Sequence, residues 1–194
     1  MKIIREVTYH EMLRRFAVGE TYSQFYTPFK KRRREETLRL LQSGDRTQET
    51  KGIKRVLKGR KSFIKSFPQN TLWYLAAMPV TVAFFSAIKT VNYSGWLGHS
   101  GGSRKLIDAA INLCNKTRKD KRVDAIVSAF KQGTVEMQGI TLIAGSEKGP
   151  FTVAEGNARL VALYLCCLNG QNNAIGEQQC ECVLGISKSR WYFG

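Results

Sequence analysis

Ile140–Gly170 reads ITLIAGSEKGPFTVAEGNARLVALYLCCLNG, and its order of apolar and polar blocks decides the fold. Ile140–Ala144 is a short apolar run. Gly145-Ser146-Glu147-Lys148-Gly149-Pro150 is a turn, and Phe151–Ala154 is a second apolar run. These two runs are predicted as strands joined by that turn. Glu155-Gly156-Asn157-Ala158-Arg159 then leads into an apolar helix over Arg159–Leu168, with Asn169-Gly170 as its stop. A strand that ends at glycine and passes directly into a helix leaves backbone N–H groups without acceptors at the helix start. Those donors and the helix dipole form an anion site, and Arg159 adds a cation suited to bidentate contact.

Working outward, Cys180–Ile186 is predicted as a last strand and Asp124–Lys131 as a short helix closed by Gly133. Arg104–Asn115 is an amphipathic helix with Leu106, Ile107, Ala110, Ile111 and Leu113 on its apolar side. Asn92–Ser103 (NYSGWLGHSGGS) reads as a Gly/Ser-rich loop that holds Trp96 and His99. Leu72–Ala77 reads as a buried strand, and Val80–Thr90 as a helix or second strand. Pro68–Ile88 carries no charged side chain over a length that suits a bilayer span. Pro79 near its middle and the polar residues at its start favour a buried strand and helix over a membrane segment, so no membrane partner is expected.

The first third is different in kind. Met1–Phe25 reads as a helix with Met12, Leu13 and Phe16 on its apolar side, and its mixed charge argues against a signal peptide. Thr27-Pro28 opens a second helix that runs to about Ser43, and Thr50–Phe67 forms a third. These last two hold the charge. The 194-residue chain has Lys+Arg 31 against Asp+Glu 15, a formal net charge of +16. Lys30, Lys31, Arg32, Arg33, Arg34, Arg39, Arg46, Lys51, Lys54, Arg55, Lys58, Arg60, Lys61 and Lys65 are opposed there only by Glu35, Glu36, Asp45 and Glu49.

A solvated helix face usually alternates sign, and this run does not. It is expected to track the phosphates of DNA or RNA through Lys30, Lys31, Arg32, Arg33, Arg34, Lys54, Arg55, Lys58, Arg60 and Lys61, the alternative being a solubilising arm. Tyr22, Phe25, Tyr26 and Phe29 are interleaved with it, as base-stacking platforms or as core-facing staples. The expected organisation is an α/β domain over residues 68–194, with a small mixed sheet, preceded by a basic helical extension over residues 1–67. Hydrophobic content of 43% suffices for a core. Five cysteines without a CxxC pair read as buried reduced thiols of a cytoplasmic protein.

From Asp124 onward, the order helix, strand, hairpin, strand, glycine turn, helix, strand, together with VSAFKQG, TLIAG and EGNARLVAL, resembles the ParB/sulfiredoxin-like superfamily. Gly156 and Arg159 match the glycine and arginine of that family's strand–turn–helix box, and Glu155 matches its acidic residue. Asn157 stands where sulfiredoxin-like enzymes carry cysteine, so sulfinic acid reduction is not expected. Asn157 and Ala158 also replace part of the Glu-Arg-Arg run of the ParB-type nucleotide switches, which leaves more of the phosphate binding to backbone N–H groups. The resemblance implies a nucleotide, ATP or CTP, held by Gly156, Asn157, Ala158 and Arg159. It implies Glu155, Asn157 and Arg159 as catalytic residues, with Glu155 as a magnesium ligand or general base and Asn157 orienting a metal-bound water. The function expected is nucleotide-dependent phosphoryl transfer or phosphodiester cleavage on nucleic acid, and the alternative is nucleotide-gated nucleic-acid binding without chemistry. Both stand beside a plainer reading, in which Glu155 complements the helix dipole or pairs with Arg159 at i,i+4.

Overall fold

The computed structural model describes residues 1–22, 31–168, 179–191 and 194; for residues 31 and 32 the description is of the backbone alone. The Thr27-Pro28 helix start, Phe25, Tyr26, Phe29, Lys30 and the Asn169-Gly170 stop lie outside the described residues.

The strands are β1 (Lys2–Glu6), β2 (Leu72–Pro79), β3 (Ile88–Lys89), β4 (Thr141–Ala144), β5 (Phe151–Glu155) and β6 (Gln179–Ile186). They form an open six-stranded mixed sheet in the order β1-β2-β6-β4-β5-β3. β2 is antiparallel to both β1 and β6, β4 is parallel to β6 and antiparallel to β5, and β3 is parallel to β5. The helices are α1 (Tyr9–Thr21), α2 (Lys31–Leu41), α3 (Arg46–Leu57), α4 (Lys61–Lys65), α5 (Val82–Ser86), α6 (Ser94–His99), α7 (Leu106–Cys114), α8 (Lys121–Lys131) and α9 (Asn157–Cys167), with a 3-10 turn over Lys58–Arg60. The protein is therefore of the mixed α/β class.

β4 and β5 fall on the two apolar runs read from the sequence, and each of their apolar side chains is buried. Continuous apolar text of this kind belongs to strands covered on both faces. Pro68–Ile88 divides into β2 and α5, the latter capped by the Thr81 hydroxyl, which accepts the Phe84 N–H at 3.2 Å. Among the described residues, no helix is long and apolar enough to cross a membrane.

Four local expectations are corrected. Met1–Phe25 is not one helix: Lys2–Glu6 pairs with β2 as an edge strand, and the helix begins at Tyr9. The Thr8 hydroxyl accepts the Glu11 N–H at 3.1 Å, so Thr8-x-x-Glu11 is the local start signal. The helix expected over Thr50–Phe67 begins earlier, at Arg46 behind an Asp45 cap, and is broken by the 3-10 turn, where Leu57 leaves helical geometry (φ −89°, ψ 10°) ahead of Lys58-Gly59. The Gly/Ser-rich loop contains α6. The helix expected from Asp124 starts three residues sooner, because Asp120 accepts the Arg122 N–H at 2.9 Å as its cap.

One hydrophobic core runs through the molecule. Residues 1–67, expected as an extension, contribute Val7, Met12, Phe16, Leu41, Val56, Leu57, Phe63 and Phe67 to it. Phe16, Phe63, Phe67, Trp73 and Trp191 form a chain of tilted and edge-on ring contacts at 5.4–6.4 Å, each favourable beyond its buried area. The Trp191 indole N–H donates to Ser66 Oγ at 3.1 Å, so Trp191 is a packing anchor. α1 is held against the segment before β4 by backbone contact: a Cβ on Gly139 would lie 2.4 Å from the Arg15 carbonyl oxygen and 2.5 Å from the Gly19 nitrogen. Gly139 also has φ +79°, a conformation that disfavours any side chain.

Candidate functional site

The turn between β5 and α9 is built as the sequence suggested. Gly156 is the N-cap residue in the left-handed region (φ 100°, ψ 16°), and it brings no side chain of its own to cap the helix. A Cβ there would meet Ile140 Cγ1 at 3.0 Å, so glycine serves both the backbone conformation and the close fit. The Gly156 carbonyl accepts the Leu160 N–H, which leaves Asn157, Ala158 and Arg159 as the first-turn donors of α9.

This turn lines a cavity of about 790 Å³. Glu155, Gly156, Asn157, Ala158 and Arg159 form one side. Tyr93 and Trp96 from the start of α6, Arg122 and Ile126 from α8, and Glu136 beyond α8 form others. Gly19 and Tyr22 from the end of α1, Arg34 from α2 and Arg60 from the 3-10 turn complete it. The volume suits a nucleotide-sized ligand.

Each arginine of the cavity has a defined neighbour. Arg159 Nη2 lies 2.8 Å from Glu155 Oε1, and its Nη1 donates to the Gln138 carbonyl. Both members of the pair are largely buried, with side-chain exposures of 7% and 13%. The i,i+4 ion pair of the plainer reading is thus present. It sits on the cavity wall and does not close the cavity. Arg60 Nε approaches Glu20 Oε1 at 2.9 Å, and its guanidinium lies 5.8 Å from the Phe63 ring centroid. Arg122 is held in a fork by Asp120, and lies over Trp96 at 5.6 Å. Burial works against charge on Asp120, but its hydrogen bonds with Arg122 prevail and hold its carboxyl below the usual range. Arg34 lies over the Tyr22 ring at 5.5 Å, and its buried Nε has no hydrogen-bond partner among the described residues.

Asn157 is buried, and its Oδ1 accepts the Val91 N–H at 3.1 Å. That bond ties the helix start to the segment after β3. His99 lies outside the cavity lining, with Nε2 at 3.3 Å from Asp120 Oδ2, so it supports the carboxylate that orients Arg122. Cys114 is exposed, against the expectation of buried thiols; burial raises Cys166 and Cys167 and pushes Cys180 up to about 11, well away from a reactive thiolate.

The residues expected to contact nucleic acid fall into two groups. Arg34 and Arg60 turn into the cavity beside Arg159. Lys54, Arg55, Lys58 and Lys61 are exposed, as is Arg33 on α2. Arg55 reaches Glu36 at 3.4 Å. Arg46, Thr47, Thr50, Lys51 and Lys54 line a shallow groove on α3. The side chains of Lys31 and Arg32, like Lys30, lie outside the described residues. Sequence reasoning missed Glu20, which carries no motif. Its signal was a carboxylate in the otherwise apolar last turn of a buried helix, AVGET. Among the described residues no cluster of three or more His, Cys, Asp or Glu side chains is arranged to hold a metal ion.

No family model, curated protein or solved structure matches this chain.

Proposed function

We propose that the β5–α9 turn binds the phosphates of a nucleotide, ATP or CTP, and that the protein uses this site for phosphoryl transfer or phosphodiester cleavage on nucleic acid. The observation that carries this reading is the convergence of Arg34, Arg60, Arg122 and Arg159 with the uncapped N-terminus of α9 on one cavity. Oriented backbone donors and arginines are what a polyphosphate requires. Tyr22, Tyr93 and Trp96 offer aromatic faces for the base. The resemblance of EGNAR to the ParB/sulfiredoxin-like box supports the same assignment.

In this reading the N–H groups of Asn157, Ala158 and Arg159 bind phosphate oxygens, and Arg159 neutralises charge. Asn157 acts through its backbone, because its side-chain oxygen is engaged by Val91. Glu155 takes a proton from the attacking hydroxyl or water. It would also be the protein ligand of a magnesium ion arriving with the nucleotide. The exposed lysines of α3 bind the polymer. Thermal unfolding with ATP, CTP, GTP or UTP, each with and without Mg²⁺, is the first test, because a ligand of the folded state raises its apparent stability. At least one nucleotide is expected to shift the midpoint upward, and no shift with any of them removes the site. Glu155→Ala is then expected to abolish nucleotide hydrolysis or strand cleavage while binding persists; full turnover in that variant removes the catalytic assignment.

The non-catalytic alternative is favoured by one observation, the basic groove on α3. Nucleic-acid binding without turnover under any nucleotide condition would establish it.

A further inference from the structure

Four arginines line the cavity, and three of them face a carboxylate: Arg159 faces Glu155, Arg60 faces Glu20 and Arg122 faces Asp120. Arg34 is different. Among the described residues it makes no hydrogen bond or ion pair, its Nε is sealed from solvent, and its guanidinium lies over the Tyr22 ring. Its place on α2 explains why it points inward. Arg34, Thr37, Leu38 and Leu41 fall at i, i+3, i+4 and i+7, one stripe of the helix. Thr37 and Leu41 are fully buried, and Leu38 packs against the core. Leu41 is set tightly on α3, where a Cβ on Gly52 would lie 2.9 Å from its Cδ2. The stripe that docks α2 therefore carries an arginine where packing alone would favour an apolar side chain. A half-buried cation without an acceptor is unfavourable, and its presence calls for an acceptor from outside the chain.

We infer that Arg34 binds the outer phosphate of a nucleoside triphosphate whose inner phosphates lie at the α9 turn and Arg159, and so makes the site select a triphosphate over a monophosphate. This role rests on the phosphate-binding reading above and adds to it the residue that senses chain length. The last turn of α1 sets the spacing. A Cβ on Gly19 would lie 2.8 Å from Arg159 Nη2, so Arg159 reaches the wall at Gly19. Tyr22 closes the same turn, its N–H donating to the Gly19 carbonyl at 3.1 Å, and Arg34 lies over its ring. The two guanidiniums are thus displaced along the wall by about one helical turn, ~5 Å, as a chain of phosphates requires. Glu136 shares this corner of the cavity, but makes no ion pair with Arg34 among the described residues. The Tyr22 ring supports the guanidinium plane, and a planar fork of donors suits a phosphate better than a point charge does. A monophosphate held at the turn ends short of Arg34.

The test is calorimetric titration of the full chain with ATP and AMP, and with CTP and CMP, in wild type, Arg34→Ala and Arg34→Lys. The wild type is expected to bind the triphosphate of at least one pair more tightly than its monophosphate. Arg34→Ala should weaken triphosphate binding roughly ten- to a hundredfold, the value of one charge-assisted contact. It should change monophosphate affinity by less than about threefold, so that the preference collapses. Arg34→Lys keeps the charge without the fork and should restore only part of it. Because Arg34 bonds to none of the described residues, neither change leaves a partner unpaired; unfolding midpoints without nucleotide verify that both variants fold, and Arg34→Lys carries the comparison if Arg34→Ala does not. A wild type without preference, a preference that survives substitution of Arg34, or an equal loss for tri- and monophosphate overturns the inference and leaves the turn as the binding site. No binding of any of the four nucleotides to the wild type removes the phosphate-binding reading, and this role of Arg34 with it.

Discussion

Positive charge gathers in two regions of this molecule, and their surroundings differ. Around the β5–α9 cavity, Arg159 is set against Glu155, Arg60 against Glu20, Arg122 against Asp120, and Arg34 over Tyr22. On α3 and the 3-10 turn that follows it, Lys51, Lys54 and Lys58 stand exposed. Buried charge is costly to desolvate and persists only where partners hold it, so its position is fixed by the fold. Exposed charge costs little and fixes nothing, but it sums into a long-range field. The contrast separates a site, where removing one group disturbs its partner, from a surface, where groups act additively.

The contrast is broken most directly at Arg159. Arg159→Ala leaves Glu155 buried without its cation and the Gln138 carbonyl without its donor, and should destabilise the fold by roughly 3–5 kcal/mol. Urea denaturation measures this, and a loss below about 1 kcal/mol would mean the pair is not what holds the turn. Gly139→Ala comes next. It forces a Cβ to within 2.5 Å of the Gly19 nitrogen at a positive φ, and should cost about 2–4 kcal/mol by the same assay. Unchanged stability would show that α1 is free to move away.

A third, smaller effect sharpens the comparison at the rim. Glu11 accepts from Arg5 and Arg15, and chiefly the hydrogen bond from Arg5 holds its carboxyl down at about 2. Its folded value lies below its unfolded 4.5, so its contribution is present above 4.5 and is lost as pH falls toward 2. Glu11→Gln should cost about 1–3 kcal/mol at neutral pH and nothing at the acid end, as read from urea midpoints across that range. The smallest effect on the fold belongs to α3. Replacing Lys51, Lys54 and Lys58 with Ala should change stability by under about 0.5 kcal/mol. The same change should flatten the salt dependence of polynucleotide binding by roughly one logarithmic unit per lysine. An unchanged slope would separate α3 from the polymer.

What could be read from the sequence follows the same division. β4, β5 and α9 were legible because each is a continuous apolar block with glycine punctuation, and the Gly156 turn was legible from one residue type at one junction. β1 was not, since Lys2–Glu6 is five residues of mixed polarity beside a strong helical pattern. Only pairing with β2 makes it a strand. The Asn92–Ser103 glycines concealed α6, a short helix secured by Trp96 in the core. Arg34 and Arg60 illustrate the limit: in a basic run they look like their neighbours, and only the docking of α2 and the 3-10 turn on α1 directs them inward. Glu20 is the plainest case, because nothing local relates residue 20 to residue 60.

The contact between Gly19 and Gly139 has a consequence for precision. Where two main chains touch with no side chain between them, alignment does not depend on rotamers that hop or on methyl groups that repack. The spacing of α1 against the chain that enters β4 is therefore inherited from covalent geometry and helix pitch, the stiffest parts of a protein. A larger residue in the cavity wall would reshape the chamber, yet the spacing of these two backbones would stay the same.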